Sequence, residues 1–204
     1  MHLIMKYTDI GAHLLTKNIL VFSSILIFLC GCNIASPNYL NFKEIHMSDV
    51  LDAEANTLNI IQINKRNEFL AKLISVNDNV HYWELPNKIK LTSIDSKIID
   101  TKGLDYDFKI HNLTKNESYL NFKNPKSGFL KILYEYEVIE KGFMNTRFNM
   151  HYIEYSLVKE VFNVPEISWK GENYYWVDNN NKVWKSKQML DPFGTYIKTY
   201  RVEK

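Results

Sequence analysis

Asn173-Tyr174-Tyr175-Trp176-Val177, then Asp178-Asn179-Asn180-Asn181, then Lys182-Val183-Trp184-Lys185-Ser186-Lys187-Gln188-Met189-Leu190 is the stretch that decides the fold. Asn and Asp tolerate positive φ, so the tetrapeptide can reverse the chain between two strand-forming runs. The segment therefore predicts an antiparallel hairpin. Residues 195–202 extend it, with Tyr196, Lys198, Tyr200 and Val202 alternating against Ile197, Thr199 and Arg201. On the N-terminal side, residues 129–140 and 143–155 read as strands joined by a turn at Lys141-Gly142. Residues 158–164 and 166–169 follow, divided by Pro165.

Further upstream the same punctuation continues. Strand-like runs at 59–64, 68–76, 80–85, 88–94 and 98–101 are separated by links rich in Asn, Asp and Lys. Residues 105–128 are less regular and read as loops with one strand at 119–122. Residues 42–58 carry Ile45, Val50, Leu51 and Leu58 at near-helical spacing and predict one helix over the end or edge of the strands. Roughly ten twisted strands with short links do not stay flat and open. The expected fold is mainly β, an antiparallel meander closing into a barrel-like or strongly curved sandwich domain with one N-terminal helix.

The chain starts differently. Lys6 and Lys17 precede an uncharged run from Ile19 to Cys30, the pattern of an export signal. About a dozen helical residues reach roughly 18 Å, well short of the ~30 Å hydrocarbon core, so the run is a poor permanent span. Leu29-Cys30-Gly31-Cys32 follows directly and resembles the lipobox of bacterial lipoproteins. That resemblance implies cleavage before Cys32 and acylation of its thiol, a strong nucleophile once ionised. Residues 1–31 are then a signal peptide, residues 32–41 a lipidated tether, and residues 42–204 one β-rich periplasmic domain. Met1 and Met5 are both possible starts. Two or three acyl chains hold a protein on a membrane durably where one does not. Asn33 follows Cys32 where inner-membrane retention commonly uses Asp, which by resemblance to that sorting rule favours the periplasmic face of the outer membrane.

Charge and cysteine content exclude several classes. The formal net charge is +2, and losing Lys6, Lys17 and Asp9 with the signal changes it by one. No polybasic footprint for nucleic acid results. Cys30 and Cys32 are the two cysteines, so the mature chain has no thiol pair for a disulfide. His46, His81, His111 and His151 share no metal-ligand spacing, and neither a metal nor another cofactor is expected.

The hairpin also carries a resemblance. Tyr175-Trp176-Val177-Asp178, a polar turn, and Ser186-Lys187-Gln188-Met189-Leu190 are similar to the C-terminal signature of the group 4 capsule polysaccharide lipoproteins, the GfcB/YjbF family. His81-Tyr82-Trp83, Ile89-Lys90-Leu91-Thr92 and Ile98-Ile99-Asp100-Thr101-Lys102-Gly103-Leu104 resemble a second family stretch. Asp191-Pro192 departs from the Gly that usually follows Met-Leu. The resemblance implies a β-barrel-like domain and a part in making or exporting capsule or exopolysaccharide. Partners would be the membrane, other export proteins of the envelope, or the polysaccharide itself. It supplies no catalytic residues.

Among the residues themselves, Glu135 and Glu137 share one strand face about 7 Å apart, a glycosidase-like spacing but more simply a solvated face. No nucleophile elbow or phosphate loop is present, and the chain reads as non-enzymatic. Aromatic rings stack on the CH faces of sugars, so Tyr82, Trp83, Trp176 and Trp184, with Lys185 and Lys187, are the candidate glycan or partner contacts. Trp83 and Trp176 suit the core better than the surface. Trp184 alternates with Lys185 and Lys187 and is expected to be buried while the lysines project outward. Two other readings remain open: a lipid-carrier half-barrel with a large apolar concavity, and a polysaccharide-modifying enzyme with two converging carboxylates.

Overall fold

The computed structural model describes residues 45, 47–51, 58–64, 67–123, 125–147 and 151–202. Its strands are β1 (Leu58–Ile63), β2 (Asn67–Asn77), β3 (Val80–Glu84), β4 (Lys90–Ile94), β5 (Lys97–Lys102) and β6 (Phe108–His111). They continue as β7 (Glu117–Phe122), β8 (Leu130–Asn145), β9 (Tyr152–Val164), β10 (Trp169–Asp178), β11 (Val183–Met189) and β12 (Tyr196–Val202). Each strand pairs antiparallel with the next, and β1 pairs with β12 from Leu58↔Val202 to Ile63↔Ile197. The meander is thus a closed barrel, one of the two forms that its turn spacing left open. Two short helical turns, Pro86–Lys88 and Pro165–Ile167, interrupt it where proline removes a ladder donor. At the β4–β5 link, Asp95 (φ 47°) and Ser96 (φ 66°) are both left-handed, the geometry of a two-residue hairpin turn.

Strand β1 shows why a continuous apolar run can still be a strand. Ile61 packs into the barrel interior, while Ile60 faces outward and packs with Ile45, Val50 and Val202. Val50 belongs to the short helix α1 (Met47–Leu51), so this sector of the wall is covered on both sides. The helix expected over 42–58 is therefore seen as five residues, and Leu58 already belongs to β1 because it pairs with both Lys72 and Val202. The remainder of that helix, the signal peptide, the tether and Cys32 lie outside the described residues.

Three other expectations are corrected. Lys141-Gly142 is not a turn: β8 runs through it, with Gly142 opposite Tyr155 on β9. A Cβ on Gly142 would sit 3.2 Å from the Tyr155 hydroxyl, so the glycine marks a close approach inside a strand rather than a reversal. Of the strand expected over 143–155, residues 143–145 accordingly end β8, while 152–155 join 158–164 in β9. Within 105–128 there are two strands, β6 and β7, paired from Phe108↔Phe122 to His111↔Tyr119. Their polar outer residues concealed the alternation.

The interior is filled. Trp83, Phe108, Phe122, Tyr134, Phe162 and Trp169 are all buried there. Phe122 of β7 and Trp169 of β10 have ring centroids 6.2 Å apart, so walls that are not neighbours in the sheet touch across the core. On β10 a Cβ at Gly171 would lie 2.3 Å from Phe162 Cζ, so only glycine lets that ring cross the strand. A pocket among the core side chains, about 30 Å³ in volume, has room for a water or two. The described residues do not form a lipid-carrier half-barrel, because their closed, packed interior leaves no space for an acyl chain among them.

Candidate glycan-contact face

Alternation along the last three strands sorts their side chains cleanly. On β11, Ser186 and Gln188 are buried, and on β12 so are Ile197 and Thr199. The Ser186 and Thr199 hydroxyls are 2.8 Å apart. Gln188 reaches farther: its Oε1 accepts from Ile98 N at 2.9 Å, and its Nε2 donates to Ser96 O at 2.8 Å and Ser186 Oγ at 2.8 Å. One amide thus clips the β4–β5 turn to β11 across the barrel. The Ser-Lys-Gln stretch has its first and third residues as internal anchors, and the lysine between them is aimed outward by the pleat.

The outward residues form two rows. Tyr174, Lys187 and Lys198 stand opposite one another on β10, β11 and β12, and Trp176, Lys185 and Tyr200 form the next row. Lys185 Nζ lies 4.3 Å from the Trp176 ring centroid and 5.6 Å from that of Tyr200. Lys187 Nζ lies 5.9 Å from the Tyr174 centroid and 5.2 Å from that of Tyr196. Lys198 Nζ is 5.9 Å from Tyr196. At these distances each ammonium is attracted by the negative ring face. Burial, followed by the neighbouring Lys198 charge, holds the Lys185 ammonium below the usual lysine range.

Carboxylates at the borders of this face are engaged. Glu172 is 2.8 Å from Lys159 and also accepts from the Tyr174 hydroxyl, and Lys159 keeps its carboxyl below the usual range. Glu68 accepts from Arg147 Nη1 at 2.8 Å and Nη2 at 2.6 Å, while the Arg147 guanidinium stands 5.4 Å from Tyr200.

The structure divides the residues singled out from the sequence. Lys185, Lys187 and Trp176 come together on this face, which corrects the expectation of a core Trp176; the inward residue is its neighbour Tyr175, 7% exposed. Trp184 is half-buried rather than buried. The ladder passes from Trp176↔Lys185 to Val177↔Val183, leaving Trp184 as the unpaired residue of a bulge. Its indole N–H donates to Asp178 Oδ2 at 2.8 Å, and Asp178 also accepts from Asn180 N and Lys182 N. Trp184 therefore closes the turn.

Trp83 points inward and donates to Ser93 Oγ at 3.0 Å. Tyr82 is exposed elsewhere on the wall, beside Glu84, Lys90, Asp100 and Lys102 in an open groove of about 360 Å³. Glu135 and Glu137 are both exposed on β8, Glu137 lying 3.8 Å from Lys159. Tyr196, Lys198, Tyr200 and Arg147 were not singled out as contacts. The alternation of β12 held the signal for the first three, while Arg147 arrives from the β8–β9 connection and had none. No cluster of three or more metal-ligating side chains occurs among the described residues.

Residues 133–202 match the family model described as "Group 4 capsule polysaccharide lipoprotein gfcB, YjbF". The match covers about a third of the chain, from β8 to β12, and so includes every strand of the aromatic face. No curated protein sequence matches. Among solved structures, the hypothetical lipoprotein YmcC from Escherichia coli K12 superposes with a TM-score of 0.63 at 11% identity, covering 79% of this chain and 98% of that one. At that identity the likeness is one of fold.

Proposed function

We propose, for a chain whose residues 133–202 match the group 4 capsule polysaccharide lipoprotein family model, a non-catalytic accessory role in producing or exporting a capsule or exopolysaccharide. In this reading Cys32 carries the lipid anchor, the barrel stands on the periplasmic side of the outer membrane, and the polysaccharide runs over β10–β12. The observation that carries it is the outward set Tyr174, Trp176, Tyr196 and Tyr200, a strip of half-buried rings inside the family-matched segment, with Tyr200 braced against the Ile45, Val50, Ile60 and Val202 cluster. Such rings pack on the CH faces of pyranoses without needing a particular linkage. Their placement is rigid, because the inward Ser186 and Gln188 bonds hold β11 from behind.

A modifying enzyme asks for two available carboxylates facing one groove. The acids bordering the face, Glu172 and Glu68, are instead engaged by Lys159 and Arg147, and of the two that line the Tyr82 groove, Glu84 and Asp100, the second is paired with Lys123. The deciding experiment replaces Trp176 and Tyr200 together by alanine in the producing organism. Membrane-localised, folded protein with surface polysaccharide strongly reduced supports the role; normal polysaccharide with that variant as the sole copy defeats it.

A further inference from the structure

The face is more than aromatic. Lys187 and Lys198 stand directly opposite each other on β11 and β12, and Lys185 lies two positions along on the same face. Like charges placed directly opposite across a pair of strands destabilise it. None of the three makes an ion pair within 4 Å among the described residues; the carboxylates that attract them from farther off, Glu172 for Lys187 and Glu68 for Lys198, are engaged by Lys159 and Arg147. Their ammonium groups lie over aromatic rings, which attract a cation without neutralising it. The ring contacts offset only part of this repulsion. An anion that lands between the lysines relieves it.

We infer that the polymer taken by this face is anionic: carboxylate groups of an acidic polysaccharide sit among Lys185, Lys187 and Lys198 while its sugar rings lie on Trp176, Tyr174 and Tyr196. The inference rests on the glycan-contact reading above and specifies its ligand. Aromatic and cationic groups alternate across the two rows, as Tyr174–Lys187–Lys198 and Trp176–Lys185–Tyr200, so a chain crossing them meets both kinds of contact. An anionic membrane surface would use the lysines but has no saccharide rings to lay on the tryptophan and tyrosines. A neutral polysaccharide would use the rings and leave the lysine repulsion in place.

The test uses the full chain purified in detergent, with polygalacturonate as acidic probe, dextran as neutral probe and phosphatidylglycerol vesicles as lipid probe. Polygalacturonate should bind and dextran should not, with affinity falling as salt rises. The triple variant Lys185→Gln/Lys187→Gln/Lys198→Gln should lose at least about tenfold, each lost contact to a charged group being worth that order. Lys90→Gln/Lys102→Gln, which removes an opposed lysine pair on β4 and β5 that already has the Glu84 carboxylate opposite Lys90 on β3, should keep the affinity and so exclude a general charge effect. Lys198→Gln alone should melt no lower than wild type, showing that lost binding is not lost folding.

Equal binding of dextran and polygalacturonate, unchanged in the triple variant, overturns the anionic ligand and leaves the glycan face standing. Lysine-dependent binding of the vesicles without polygalacturonate binding overturns it in favour of a membrane-facing surface. Binding to none of the probes overturns it as well, and normal polysaccharide in the Trp176/Tyr200 variant would then remove the functional reading independently.

Discussion

Lys97 Nζ lies 2.7 Å from Glu160 Oε2, joining β5 to β9 through the barrel interior. Glu160 is wholly buried, its other oxygen accepts from Asn173 Nδ2 at 2.6 Å, and the Lys97 ammonium stands 3.5 Å from the Tyr134 ring centroid. Burial drives the Lys97 ammonium below its usual range even though the Glu160 charge opposes that shift. Desolvation thus outweighs the attraction on the lysine side, the usual imbalance for a buried pair. The pair sits where the wall needs it. β5 and β6 are matched at a single register position, Asp100↔Lys109, so the cross-barrel contacts of Lys97 and Ile98 hold β5 from the inside.

Removing one member should cost more than removing both. Lys97→Met leaves Glu160 charged and uncompensated and should lower the unfolding free energy by about 3–5 kcal/mol. Lys97→Met/Glu160→Leu should recover most of the loss. Urea denaturation of the three proteins checks this, and a double variant no more stable than the single one would refute the desolvation argument.

Gly171→Ala should be destabilising by about 1–3 kcal/mol, because its methyl would collide with Phe162 and with Met189 Sδ, 2.9 Å away. Adding Phe162→Leu should restore part of it by removing the ring that causes the clash. Thermal melts of the single and double variants are sufficient. Additive losses would show that the two residues do not conflict.

The Glu68–Arg147 pair gives a pH dependence with a definite sign. The Arg147 hydrogen bonds, chiefly, hold the Glu68 carboxyl below its ordinary value of 4.5. A carboxylate depressed in the folded state contributes stability that is complete above its unfolded value and is lost as pH falls through the lower folded one. Wild-type stability should therefore fall more steeply than that of Glu68→Gln as pH drops below about 4.5. Denaturant midpoints measured down to about pH 3 compare them, and parallel curves would contradict the coupling.

Lipid anchoring is tested at Cys32. Cys32→Ala should leave the chain unprocessed by lipoprotein maturation, with no incorporation of labelled palmitate. Continued labelling would place the acyl chain elsewhere.

Much of this molecule was legible before its structure. Turn residues such as Asp95-Ser96 and Asp178 to Asn181 act locally, through φ angles and side-chain to backbone bonds, so the antiparallel meander followed from them. The Lys185, Ser186, Lys187, Gln188 alternation likewise separated surface from interior by the period of a strand. Local signals failed where a distant residue supplied the reason. Gly142 looks like a turn until Tyr155 is placed over it. Trp184 looks inward-facing until the bulge beside Val177 takes it out of register.

The sequence by itself determined that this is an antiparallel β protein, because its turns and its alternation are written in neighbouring residues. Tertiary structure alone decided that β1 meets β12, that the interior is filled, and that Trp176 faces outward with Lys185. Alternation fixes which residues share a face but not which face becomes the core. That choice was made by closure of the barrel and by contacts between residues far apart in the chain, Lys97 with Glu160 and Ile98 with Gln188.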